Sequence, residues 1–135
     1  MSDDEFLEAF ENTTLPREEW THAAHLRMAF LYLRRESSEA DALATMRRRI
    51  QAYNQAHGNR RGYHETITVA FARLVADAGR RLPEADFEGL RNAARELFDS
   101  EVLLRYYTRE CLASPKARAV FVAPDRDEAL PPADW

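Results

Sequence analysis

Apolar residues along this chain recur every three or four positions, the spacing that gathers them on one face of an α-helix. Phe6, Leu7 and Phe10 predict a short helix over residues 3–11, ended by Asn12-Thr13-Thr14-Leu15-Pro16. Pro16 then opens a brief turn through Trp20. His22, His25, Leu26, Ala29 and Leu33 form one stripe of a second helix over residues 21–35, with Thr21 as its N-cap. Ser37 or Ser38 caps a third helix, whose buried edge is Leu43, Met46, Ile50 and Tyr53. His57-Gly58 is its last turn and terminal glycine, and Gly58 to Gly62 is the tightest loop signal in the chain.

A fourth helix is predicted over residues 63–80, with His64, Ile67, Thr68, Phe71, Leu74, Val75 and Ala78 on its inner stripe. Leu82-Pro83 breaks the pattern before a fifth helix over 86–98 and a sixth over 101–112. Tyr106 and Tyr107 are adjacent on that sixth helix, so one is expected in the core and the other at the surface. Ser114-Pro115 combines an N-cap with an N1 proline and opens a short helix through Phe121. The tail, 122–135, is expected to be extended and pinned by Leu130 or Trp135. The expected fold is all-α: one domain over 1–135, a compact bundle of five to seven helices with an extended C-terminal tail.

Composition narrows the class. A chain of 135 residues can bury a core without staples. It carries 19 Lys and Arg against 23 Asp and Glu, a net charge of -4, whereas a dedicated nucleic-acid binder would show a basic excess. Arg47-Arg48-Arg49 is the densest basic cluster, but neighbours on a helix point in different directions and read as a solvated face. The single cysteine, Cys111, rules out an internal disulfide. No apolar run approaches the roughly 18 residues that span a bilayer. The chain opens Met1-Ser2-Asp3-Asp4-Glu5 rather than with a charged-then-apolar leader, so a cytoplasmic protein is expected.

Three of the four histidines lie in two short segments, Trp20-Thr21-His22-Ala23-Ala24-His25-Leu26 and Gly62-Tyr63-His64-Glu65-Thr66-Ile67-Thr68. Residues i and i+3 share a helix face, so His22 and His25 can serve one ion, and His64 lies on a second inner stripe. Three protein ligands with one open position is the usual arrangement of a catalytic metal site. The expectation is therefore a metal-dependent small-molecule enzyme with His22, His25 and His64 as ligands of a divalent Zn, Fe, Ni or Cu ion. His64 and Glu65 are the candidate catalytic residues, with Glu65 orienting a ligand or acting as general base. Arg60, Arg61, Tyr63 and Thr68 are candidate substrate-binding residues, because a basic loop beside a helix N-terminus suits a small anion. Two alternatives stand beside this: a metal-free enzyme using His64 or His22 as acid or base, and a non-catalytic helical ligand-binding or accessory protein. His57, at a helix C-terminus, reads as a charge–dipole contact, and Trp20 as a packing wedge. No phosphate-binding glycine loop, Cys-x-x-Cys or His-Glu-x-x-His occurs in the sequence.

Taken with Ser114-Pro115-Lys116-Ala117-Arg118 and Pro124-Asp125, the two histidine segments resemble a family of small bacterial helical proteins that carry no assigned activity. The resemblance covers most of the chain, from Phe10 to Leu130. It implies that these segments belong together, and it transfers no mechanism.

Overall fold

Most helices of this protein start where a short polar side chain can take up a free N–H. In a computed structural model, which describes residues 1–133 and 135, Ser2 accepts from Glu5 while Glu5 reaches back to the Ser2 amide, a reciprocal capping box. That pair opens α1, Asp3–Glu11. Thr21 caps α2, His22–Arg35, and Ser38 caps α3, Glu39–Ala56. Asp86 caps α5, Phe87–Ala93; Thr108 caps α6, Arg109–Ala113; Ser114 caps α7, Pro115–Ala119. The exception is α4, Glu65–Arg81, whose N-cap is His64. The described residues contain no strand.

The chain divides into two compact units, Met1–Tyr63 and His64–Trp135. In the first, α3 packs along α2 and against α1. The core joins Phe6, Leu7 and Phe10 to Leu26, Phe30 and Tyr32, and to Leu43, Met46, Ile50 and Tyr53, all buried. Full burial of one such side chain stabilises by about 1.5–3 kcal/mol relative to exposure, so these stripes hold the unit together. Two residues end helices in the left-handed region. Gly58 does so at φ 74, as expected after His57. Thr13 does so at φ 61, a conformation that a β-branched residue rarely takes. It is held there by the wrap of α1, in which Thr14 N donates to Ala9 O at 2.8 Å, and by His57, whose Nε2 donates to Thr13 O at 3.0 Å. His57 thus serves as a hydrogen-bond donor to a loop, beyond the helix-end charge contact expected for it.

In the second unit, α4 packs against α7 and against two 3-10 turns, Arg95–Phe98 and Val102–Arg105. Here the expected helices over 86–98 and 101–112 are broken into α5, these turns and α6. The consequence is visible at Tyr106 and Tyr107, of which one was expected at the surface: both are buried. Two adjacent residues cannot share the inner face of an α-helix, but the chain bends after the 3-10 turn and turns both rings inward. The last helix ends at Ala119, and the described residues beyond it form neither helix nor strand, with bends over 125–128. Leu130 is buried and Trp135 half-buried. Asp125 accepts from the Thr108 amide at 2.8 Å and hydroxyl at 2.6 Å, bonds that hold its carboxyl below the usual range. Arg105 pairs with Glu128 at 2.8 Å, and Arg80 donates to Pro132 O at 2.9 Å.

Candidate functional site

Residues 20–25 hold the His25 imidazole through contacts that are almost all local. Trp20 ends the 3-10 turn Arg17–Glu19, and Thr21 follows as the N-cap of α2. The Thr21 carbonyl accepts the first α-helical bond, from the His25 amide at 3.0 Å. It also lies 2.7 Å from His25 Nδ1. A carbonyl can only accept, so Nδ1 carries the ring proton. In the neutral ring Nε2 is then a bare lone pair.

The ring is clamped as well as bonded. Its centroid lies 3.8 Å from that of Trp20, stacked at 30°. The other partners of Trp20 are Phe10, stacked at 4.6 Å, and Tyr53, tilted at 5.2 Å. Tyr53 is itself fixed by its hydroxyl, which donates to Leu15 O at 2.7 Å. Three helices and a turn therefore converge on one indole. Burial holds the His25 imidazole below the ordinary histidine value, the Thr21 bond works in the opposite sense, and nearby His22 adds to the lowering. His22 is half-buried at the first position of α2 and is engaged in a contact of its own.

In the second histidine segment, His64 and Thr68 bond to backbone groups. His64 lies just before α4 rather than on its inner stripe, because the helix starts two residues later than predicted. Its Nδ1 accepts from the Ile67 amide at 3.1 Å. Its Nε2 lies 2.7 Å from the Leu112 carbonyl and must be the protonated nitrogen. Both ring nitrogens are thus occupied, and in this arrangement neither offers a lone pair to a metal or a substrate. Thr68, a candidate substrate contact, donates its hydroxyl to His64 O at 2.9 Å. Thr66 is fully buried, donates to Val120 O at 3.0 Å and accepts from Val122 N at 3.1 Å. Glu65 and Tyr63 are half-buried and each has further contacts. Arg60 and Arg61 are exposed in the loop after α3, and Arg61 is engaged there.

Sequence reasoning missed the pairing of Trp20 with His25, having read Trp20 only as a wedge. The signal was present in the spacing: an aromatic residue five positions before a histidine at a helix start, with a capping threonine between them. Among the described residues, no three or more His, Cys, Asp or Glu side chains form a group that could hold a metal ion. No described helix is long and apolar enough to cross a membrane. No family model, curated protein or solved structure matches the chain.

Proposed function

We propose that the protein is a small-molecule enzyme in which His25 acts as general base through Nε2. The observation that supports this is the 2.7 Å contact between His25 Nδ1 and Thr21 O. It fixes the tautomer, and a fixed tautomer with a bare nitrogen is what proton abstraction requires. The lowered proton affinity caused by burial keeps the ring in its neutral form at neutral pH. The anionic substrate expected from Arg60 and Arg61 remains part of this proposal, since both lie exposed in the same unit.

A metal-bound use of the same ring is the second reading. Histidine ligands regularly donate their other ring N–H to a backbone carbonyl, as His25 does. His22 stands three positions earlier on the same helix, so the pair would ligate a divalent transition metal such as Zn, Fe, Ni or Cu.

Carbethoxylation mapped by peptide mass spectrometry tests the bare lone pair, because the reagent attacks unprotonated imidazole nitrogen. His25 is expected to react at least about tenfold faster than His64, a factor worth about 1.4 kcal/mol in barrier. Equal rates would remove the basis of the proposal. A screen of small carboxylates and phosphate esters follows, with His25→Gln expected to abolish any turnover while the helical circular dichroism is unchanged. Zn(II) titration separates the two readings: one equivalent bound, and lost in both His22→Gln and His25→Gln, favours the metal.

A further inference from the structure

The two residues that precede α2 act on His25 as a pair, one through its carbonyl and one through its ring. We propose that Trp20 is a positioning residue for His25: the indole, clamped by Phe10, holds the imidazole in the plane that lets Nδ1 donate to Thr21 and leaves Nε2 with its lone pair. The inference rests on His25 being the reactive group and adds what keeps it reactive.

Three observations carry it. First, the tautomer is unusual within this molecule. His57 and His64 each face a backbone carbonyl through Nε2, at 3.0 and 2.7 Å, whereas His25 faces one through Nδ1. An unconstrained histidine side chain favours the Nε2–H form, so something must hold His25 in the other. Second, the Thr21 carbonyl fixes this tautomer only while the ring stays against it. It already accepts the His25 amide at 3.0 Å, and a ring free to rotate about its side-chain bonds could leave it for water. Third, the stack removes that rotation. A ring 3.8 Å from an indole cannot swing without losing contact, and the indole cannot yield because Phe10 is fully buried on it at 4.6 Å. Tyr53, locked to Leu15 O, closes the edge at 5.2 Å.

The test is nitrogen NMR of the full-length protein with labelled histidine, at a pH where the rings are neutral. In the wild type His25 should show protonated Nδ1 and bare Nε2, and His57 and His64 the reverse. Trp20→Phe retains a stacking ring and should retain this pattern. Trp20→Leu should lose the pure Nδ1–H signature of His25 to a mixture of tautomers, while the Nε2–H signatures of His57 and His64 persist and report an intact fold. A pure Nδ1–H signature in Trp20→Leu would overturn the positioning role alone. A wild-type His25 protonated on Nε2 would instead overturn the reading of His25 as base. Should Trp20→Leu fail to fold, the wild-type ring decides: carbon-bound protons of His25 displaced upfield by the indole ring current support the stack, and undisplaced ones overturn it.

Discussion

At the scale of single residues, the polar side chains in the two histidine segments divide by what their lone pairs meet. His25 keeps one bare nitrogen, while His64 and Thr66 accept from backbone amides, and Thr68 donates its hydroxyl to a backbone carbonyl. Thr66 is the clearest case. Its buried hydroxyl satisfies a carbonyl and an amide two residues apart, Val120 O and Val122 N. Thr66→Val keeps the shape and strands both groups, so it should cost about 2 kcal/mol, read as a lower denaturant midpoint with an unchanged slope. A change of less than about 0.5 kcal/mol would mean that water replaces the hydroxyl. That His64 is buried agrees with the apolar spacing, but its place before the helix and its use as a cap were not legible. Histidine is not among the usual capping residues, and nothing in the sequence announces that residue 112 offers it a carbonyl.

At the scale of elements, helix starts were legible at Thr21, Ser38 and Ser114, where Ser or Thr stands before an apolar period, but not at Thr108, which was read as the interior of a longer helix. Capping is a local bond between near neighbours, so local sequence reveals it. The turns Arg95–Phe98 and Val102–Arg105 were not legible, because their apolar spacing also fits an α-helix; both pack against α4. Tyr106 and Tyr107 were misassigned for that reason. The start of α4 offers a test of capping by imidazole. His64→Asn preserves an acceptor for the Ile67 amide but cannot reach Leu112 O, whereas His64→Ala loses both bonds. The alanine variant should cost about 2–4 kcal/mol, and the asparagine variant should recover about 1 kcal/mol of it. Equal losses in thermal or urea unfolding would show that the cap contributes nothing.

At the scale of the whole molecule, buried phenols tie stability to alkali. Burial is the first cause that raises Tyr32 and Tyr53 in one unit and Tyr106 and Tyr107 in the other, with Tyr107 pushed up to about 12. A phenol ordinarily ionises near pH 10, so the folded chain favours the protonated form. The stabilisation is therefore complete below about pH 10 and lost as pH rises toward the folded values. Phenolate absorbance from these rings should appear together with the loss of helical circular dichroism. Ionisation near pH 10 ahead of unfolding would contradict their burial. The tail shows a related dependence at the level of a single amide. Val122 N–H has no strand beside it, yet a threonine hydroxyl from α4 takes the place of a neighbouring strand's carbonyl. Its deuterium uptake is then governed by the opening of a helix more than fifty positions away in the chain. Among the tail amides, the one at Val122 should exchange at the pace of α4, and an α4-destabilising substitution should speed both together.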